Sequence, residues 1–243
     1  MCTVTFIPRG EDIFLSASRD ERRERPNALP PEIHEVNGQK VLFPMDPLAG
    51  GTWMAVNENG NAVVLLNGAL QKHIPQPPYR KSRGLIVLDL LSALSPSAWF
   101  DGADLQQIEP FTTVIAESGS LFVCRWNGSA KSRAPHRKNF PGIWSSVTLY
   151  DAATVEKRER WFTAWLSRNP DPTPEDIMDF HREAGEGDPH TDLLMNRNDQ
   201  VFTQSISTVC ISRNLARFQY FDLRRMAGTE CFLPLAKSIS VTS

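Results

Sequence analysis

The sequence predicts an α+β protein in which β-sheets and helices are stacked in layers. Paired apolar runs separated by turn residues occupy the first half of the chain and predict β-hairpins. A charged middle segment with helical periodicity follows, and strand-like runs return from Val201 onward. Strands followed by helices and then by strands again are typical of sheets that pack against helices.

The first predicted hairpin brings a charged cluster back to the N-terminus. Residues 2–7 form an apolar and β-branched run, and a turn containing Pro8 and Gly10 leads into a second run over Ile13–Ala17. The returning strand ends in Ser18-Arg19-Asp20-Glu21. A carboxylate at this place can hold a free α-amine at the start of the chain.

The next elements are predicted from turn and helix signals. A second hairpin turns at Asn59-Gly60, a dipeptide that favours tight turns. An apolar stripe predicts a helix that ends at Ser95-Pro96, because proline disfavours helix in the residue before it. The predicted strands are Lys40–Pro44, Thr52–Val56, Ala62–Leu66, Thr112–Ala116 and Leu121–Trp126, and the helical stripe is Leu85, Val87, Leu88, Leu91 and Leu94.

The middle third carries two helix starts. Asp151 is an N-cap residue before a helix that is predicted to reach about Leu166. Thr173-Pro174-Glu175-Asp176 combines a cap, a first-turn proline and acids near the positive helix end. The chain then returns to predicted strands at Val201–Ile211, Ala216–Asp222 and Glu230–Leu235.

Composition narrows the class of protein. With 243 residues, 41% hydrophobic and 22% charged, the chain suits one domain spanning residues 1–243. A net charge of −2 argues against a nucleic-acid-binding protein, which needs clustered positive charge. We expect no membrane span and a cytoplasmic location, because the chain has neither an 18-residue apolar run nor a signal-peptide pattern.

The cysteines and histidines do not predict a metal centre. Cys124, Cys210 and Cys231 lie in apolar, strand-like settings that are typical of free buried thiols, and no two cysteines have zinc-ligand spacing. His181 and His190 are separated by a glycine-containing segment that we interpret as a loop after a helix. We therefore expect no metal and no cofactor.

Cys2 has the properties of an N-terminal nucleophile. Removal of Met1 would leave one residue carrying both a thiol and a free α-amine. The thiolate is the reactive form of cysteine, and the amine, with a reference pKa of roughly 7.7 to 8.0, can accept the thiol proton near neutral pH. The alternative interpretation is that cysteine is simply the second residue.

Two motifs in order carry a family resemblance. Met1-Cys2 on a first strand, followed by Ser18-Arg19-Asp20-Glu21 on the next and by Arg25-Pro26, resembles the NRDE family, also called the transport and Golgi organisation family. Gly50–Val56 followed by Asn59–Asn67 is similar to a second signature of that family. The basic segment Tyr79–Leu85, which leads into a helix, extends the match. The family is similar in turn to N-terminal-nucleophile cysteine hydrolases, such as bile salt hydrolase and penicillin V acylase. That resemblance implies a four-layer αββα sandwich.

The resemblance also implies roles for individual residues. Cys2 would be the nucleophile, Asp20 would bind the α-amine and Asn67 would help form the oxyanion hole. Arg19 would substitute for an arginine that the acylases carry at the position of Ala17. Trp53 would wall a substrate pocket, with its alternative being a core residue. Ser145 and Ser146 fall where the hydrolases have a later asparagine, and we expect them to contact the substrate.

The residues that match the hydrolase site and those that differ from it leave two classes of function. Loss of one oxyanion donor costs about 2.7 to 4 kcal/mol of transition-state stabilisation, and Ser18 replaces the asparagine that opens the family motif. The first class is a hydrolase of non-peptide, linear amide C–N bonds that acts on a small-molecule amide or acyl substrate. The alternative is a non-catalytic protein that binds haem or lipid, or acts in trafficking, on the same fold.

Overall fold

The structure is a computed structural model that describes residues 3–236, and these residues form two seven-stranded sheets with four helices. The predicted α+β class is confirmed. In chain order the elements are β1 (Thr3–Arg9), β2 (Asp12–Arg22), β3 (Leu29–Val36), β4 (Gln39–Met45), β5 (Met54–Asn57), β6 (Ala62–Asn67), α1 (Arg83–Ser92), α2 (Pro96–Gly102), β7 (Phe111–Glu117), β8 (Ser120–Trp126), β9 (Lys131–His136), β10 (Gly142–Ser145), α3 (Ala152–Arg168), α4 (Pro174–Glu183), β11 (Asn196–Arg197), β12 (Val201–Ile211), β13 (Leu215–Asp222) and β14 (Ala227–Pro234).

Both sheets are antiparallel. The first has the order β10-β1-β2-β12-β13-β14, with β11 paired to β12, and the second follows the chain from β3 to β9. We predicted that the strand over residues 2 to 7 would lie at the centre of its sheet, and this is wrong for β1. It lies one strand from the edge, because the short strand β10 pairs along its outer side.

Three apolar cores separate four layers. The central core lies between the sheets and joins residues such as Val64 of β6 to Val209 of β12. A second core packs α1 and α2 against the outer face of the second sheet, with Leu90 and Phe100 fully buried. A third packs α3 and α4 against the first sheet around Phe162. The order helix, sheet, sheet, helix is therefore the αββα sandwich.

Local signals explain most helix boundaries. The Asp151 side chain accepts a hydrogen bond from the Thr154 N–H and caps α3, and Thr173 forms a reciprocal capping box with Asp176 at α4, as predicted. Helix α1 ends at Ser92, before the predicted stop, and Ser95-Pro96 instead begins α2, a helix that the sequence does not predict. No helix in the described part of the chain is long and apolar enough to span a membrane.

The buried face of α1 differs from the predicted stripe. The helix ends at Ser92, so Leu94 lies beyond it and is 90% exposed. The fully buried positions follow the spacing of one helical face and are Ile86, Val87, Leu90 and Leu91.

The sequence does not predict four of the described strands, β3, β9, β10 and the two-residue β11, and each of them pairs with one strand only. β3 and β9 contain prolines and mostly exposed side chains, because an edge strand has only one neighbour and needs no continuous apolar run. β10 has only four residues. β3 and β9 pair with the adjacent strands β4 and β8, whereas β10 pairs with β1, which is distant in sequence and which local patterns do not reveal.

Candidate functional site

A polar cavity of about 420 Å³ opens where β2, β6 and the start of α1 approach one another. Four of the predicted site residues line it together. They are Arg19 and Asp20 from the end of β2, Trp53 from the segment before β5, and Asn67 from the last position of β6. Residues that are up to 48 positions apart in sequence, Arg19 and Asn67, are thus brought to one hollow.

The β1–β2 pairing fixes where the N-terminus meets this cavity. Thr3, the first described residue, is directly opposite Ser18, and the next two residues of β2 are Arg19 and Asp20. Cys2 itself lies outside the described residues.

Asp20 is held by two hydroxyl groups. Its carboxylate is 3% exposed, accepts a hydrogen bond of 2.5 Å from the Tyr150 hydroxyl, and accepts another of 2.6 Å from Thr203 Oγ1. Thr203 lies opposite Asp20 on the neighbouring strand β12, where the register shifts by one residue before Ser205. The two bonds fix one orientation of a carboxylate at the wall of the cavity.

Arg19 is fixed by a separate set of contacts. Its guanidinium donates to Gln204 Oε1 at 2.5 Å and to Asp46 Oδ2 at 3.1 Å, and it lies 4.8 Å from the centroid of the Trp53 ring. Burial alone would raise the pKa of Asp46, but the hydrogen bond and charge of Arg25, backbone N–H donors and the charge of Arg19 bring it below its ordinary value. Arg19 therefore contributes positive charge at a rigid position.

Trp53 is both a cavity residue and a core residue. It is 4% exposed and joins the central core between the sheets, while one part of it lines the polar cavity. Its indole Nε1–H has no hydrogen-bond acceptor among the described residues. Trp53 is therefore both a wall of the cavity and a residue of the central core.

Asn67 is placed by a close approach of two chain segments. The next residue, Gly68, has φ of +80°, and a Cβ there would lie 2.8 Å from the methyl groups of Val147 and Thr148. The Ser146 hydroxyl donates to the Asn67 carbonyl at 2.8 Å, and Ser145 pairs with Thr3 on β1. Neither serine is among the described residues that line the polar cavity, so their predicted contact with substrate stays a prediction.

The family model for Transport and Golgi organisation 2 matches residues 1–229. The chain belongs to this family. The family resemblance carried by the two sequence motifs is therefore confirmed, and the match covers nearly the whole chain rather than its first hundred residues. No curated protein matches the sequence of this family member at a significant level.

Solved structures with the same fold are hydrolases. Two variant forms of conjugated bile acid hydrolase from Clostridium perfringens superimpose with TM-scores of 0.62 at 12% and 11% identity, covering 95% and 100% of this chain and 92% and 100% of theirs. The Caenorhabditis elegans ortholog of N-acylethanolamine-hydrolyzing acid amidase gives 0.59 at 12% identity over 85% of this chain and 92% of its own. At these identities the likeness establishes the N-terminal-nucleophile hydrolase fold of this family member.

Arg158 is a part of the site region that the sequence analysis did not assign to it. This side chain of α3 is fully buried and donates to Thr3 Oγ1 at 2.5 Å and to the carbonyls of Thr191 and Asp192. Its guanidinium carbon lies 3.6 Å from the centroid of the Tyr150 ring. Helical periodicity places Arg158 on the inner face of the predicted helix, but its position in the charge run Glu156–Arg160 is typical of a solvated side chain, so the sequence analysis assigned it no role in the site.

His181 lies behind the same strands. It is part of α4 and is completely buried, with hydrogen bonds of 2.9 Å to Thr5 Oγ1 and 2.8 Å to Ser18 Oγ. Burial and the charge of Arg158 lower the pKa of His181 to about 3. The ring is therefore neutral at ordinary pH. It joins Thr5 of β1 to Ser18 of β2, the residue directly before Arg19.

The other cysteines are poor nucleophiles. Burial raises the pKa of Cys124 to about 12 and that of Cys210 to about 11, and burial also raises the pKa of Cys231. The Cys231 thiol donates to the Pro31 carbonyl at 3.0 Å. Among the described residues these three cysteines are free thiols, as the sequence predicts.

Proposed function

We propose that this protein is a cysteine amidohydrolase that cleaves non-peptide amide C–N bonds with Cys2 after Met1 is removed. The observation that carries the proposal is the convergence of Arg19, Asp20 and Asn67 on the polar cavity, at the end of β2 that faces Thr3. A nucleophile one residue before Thr3 would stand at the edge of this cavity. The hydrolase fold of the structural relatives supports the same chemistry.

The proposed reaction begins with proton transfer from the Cys2 thiol to its own α-amine. Asp20 holds the resulting ammonium, and the charge of Arg19 favours the thiolate. The thiolate attacks the amide carbonyl carbon, and Asn67 stabilises the oxyanion that forms. The ammonium then gives its proton to the nitrogen of the leaving amine as the C–N bond breaks and leaves a thioester.

Water completes the reaction. The α-amine removes a proton from the attacking water, the thioester C–S bond breaks, and the carboxylic acid is released as the thiol is restored. Tyr150 and Thr203 keep Asp20 in one orientation throughout, since both donate to it. Arg158 supports the start of β1 through Thr3.

The test begins with intact mass, which shows whether Met1 is removed. Turnover is then measured on a panel of linear N-acyl amides. We expect Cys2→Ala to abolish turnover and Asp20→Asn to reduce kcat/KM by about 100-fold or more, since the α-amine loses its partner. The matched control is Cys231→Ala, which removes a half-buried thiol on β14 and should leave turnover unchanged. Turnover that persists in Cys2→Ala would refute the proposal.

Alkylation of the native protein tests the nucleophile separately. At neutral pH limited iodoacetamide should modify the N-terminal peptide first, because the other three thiols have raised pKa values. Peptide mapping measures the distribution of label. Equal labelling of all four cysteines, together with a Soret shift on titration with haem, would favour the non-catalytic alternative.

A further inference from the structure

We propose that the start of α1 forms an oxyanion-binding subsite in the polar cavity, so that the preferred substrate is an amide carrying a carboxylate or phosphate group. The inference rests on the proposed function for its substrate class. Its binding component can be measured without turnover. The segment concerned is Ser82-Arg83-Gly84, which lines the cavity and has no role in the proposed chemistry.

The first observation is an open helix terminus. Helix α1 has ten residues, its N-cap Ser82 makes no side-chain capping hydrogen bond, and its first turn contains no acidic residue. The Leu85 N–H donates to the Ser82 carbonyl at 3.0 Å. The N–H groups that precede it in the first turn of a helix have no intrahelical acceptor and form the positive end of the helix dipole. Such a terminus binds anions when it faces a cavity.

The second observation is how closely this terminus is fixed to the cavity wall. The Thr52 N–H donates to the Gly84 carbonyl at 3.1 Å, and a Cβ on Gly51 would lie 2.5 Å from the Gly84 carbonyl carbon. Only glycines allow this approach of two backbones. The segment before β5 therefore holds the start of α1 in one place beside Trp53.

The third observation is the charge of the lining. Four arginines and three carboxylates line the cavity: Arg19, Arg22, Arg25 and Arg83 with Asp20, Glu21 and Asp46. Asp46 accepts from Arg19, Arg25 and two backbone N–H groups, and Asp20 accepts from two hydroxyls. Asp20 and Asp46 are thus already occupied as acceptors. Arg83 pairs with Glu109 at 3.0 Å and donates to the Pro110 carbonyl at 3.2 Å, and each guanidinium has five N–H donors, which is more than these contacts use.

The fourth observation is a buried donor. Trp53 lines the cavity and is 4% exposed, and its Nε1–H has no acceptor in the described part of the chain. Buried donors normally have a partner. Carboxylate and phosphate oxygens accept hydrogen bonds from indole, guanidinium, hydroxyl and backbone N–H groups alike.

The decisive variant is Ser82→Asp. Aspartate is a good N-cap, so the variant should be at least as stable to heat as the wild type. Its carboxylate would occupy the place of the ligand and repel a second anion. The matched control is Ser82→Asn, which also caps the helix but carries no charge.

Calorimetric titration at low ionic strength uses inorganic phosphate and acetate as separate probes. We expect at least one of these anions to bind the wild type. Its affinity should be lower by about tenfold or more in Ser82→Asp and unchanged in Ser82→Asn. Tighter binding of phosphate or of acetate identifies the preferred group. The inference is overturned if neither anion binds the wild type, or if Ser82→Asp binds as well as Ser82→Asn.

Turnover connects the subsite to substrate choice. Decanoyl amides of glycine, O-phosphoethanolamine and ethanolamine present a carboxylate, a phosphate and a neutral hydroxyl. We expect kcat/KM for an anionic amide to exceed that for the neutral one, and the preference to disappear in Ser82→Asp. If anion binding weakens in Ser82→Asp as expected but no amide is hydrolysed, the proposed function is refuted and the anion-binding subsite remains supported. Hydrolysis without preference would refute the role of the subsite in substrate choice.

Discussion

At the scale of single residues, burial fixes the charge state or the hydrogen bonds of ionisable side chains near the site. His181 is fully buried and neutral, and Asp20 accepts hydrogen bonds from two hydroxyl groups. His181 bridges Thr5 and Ser18 through both ring nitrogens, so a second proton on the ring would replace one acceptor by a donor. The charge state of His181 is therefore coupled to folding.

We expect His181 to make the protein less stable as the pH falls. Its pKa is about 3 in the folded protein and about 6.5 when unfolded, so the unfolded state binds the additional proton between these values. Its contribution is complete above about pH 6.5 and is lost as the pH falls towards 3. Between pH 7 and pH 5 this amounts to about 2 kcal/mol of the free energy of unfolding, measurable by urea denaturation.

The comparison variants for this prediction are His181→Gln and His190→Gln. The first should flatten the pH dependence between 7 and 5, because the titrating group is gone. The second removes an exposed histidine and should preserve the wild-type slope. Equal slopes in the wild type and His181→Gln would contradict the prediction.

At the scale of secondary-structure elements, helix α3 is joined to the first sheet by one buried cation. Arg158 bonds β1 through Thr3 and bonds the segment after α4 through two carbonyls, while its guanidinium stacks on Tyr150. The apolar contacts of α3 are those of Phe162 and its neighbours in the helical core. The polar contacts therefore determine how the N-terminal half of α3 is placed beside the site.

Arg158→Met should destabilise the fold by about 3 kcal/mol, because the Thr191 and Asp192 carbonyls and the Thr3 hydroxyl lose a buried donor. Thermal or urea unfolding measures the loss. Arg160→Met on the exposed face of the same helix is the control, and we expect a change within about 0.5 kcal/mol. Equal effects of the two substitutions would show that Arg158 does not connect these elements.

At the scale of the whole molecule, the two sheets share one core. Residues of both sheets form the central apolar cluster, and each outer face is closed by its own helix pair. Neither sheet could keep its inner face buried without the other. We therefore expect the helical layers and the two sheets to unfold together.

This expectation can be checked with two probes of one unfolding transition. Tryptophan fluorescence reports on all three cores, because Trp53, Trp126 and Trp161 belong to different ones. Far-UV circular dichroism reports on the strands and helices. The two denaturation curves should coincide. A fluorescence midpoint separated from the dichroism midpoint would show that one layer unfolds independently.

The sequence by itself determined the elements with strong local signals. The hairpin at Asn59-Gly60, the caps Asp151 and Thr173, and the two family motifs follow from neighbouring residues, because turn geometry and capping bonds span only a few positions. The motifs also predicted that Arg19, Asp20 and Asn67 would share a site, and they line one cavity. Their catalytic roles remain a prediction.

Only the tertiary structure decided which polar residues are buried and where the edge strands pair. Periodicity alone places Arg158 on an inner helix face, but the charged neighbours of Arg158 and of His181 are typical of solvated residues. Both are fully buried because β1 and β2 offer them hydroxyl partners. β3, β9 and β10 become strands because a neighbouring strand supplies their hydrogen bonds. The burial of Arg158 and His181 and the pairing of β10 with β1 depend on residues far away in the chain, about which local sequence patterns carry no information. β3 and β9 pair with adjacent strands, but their prolines and exposed side chains lack the apolar pattern that predicts a strand.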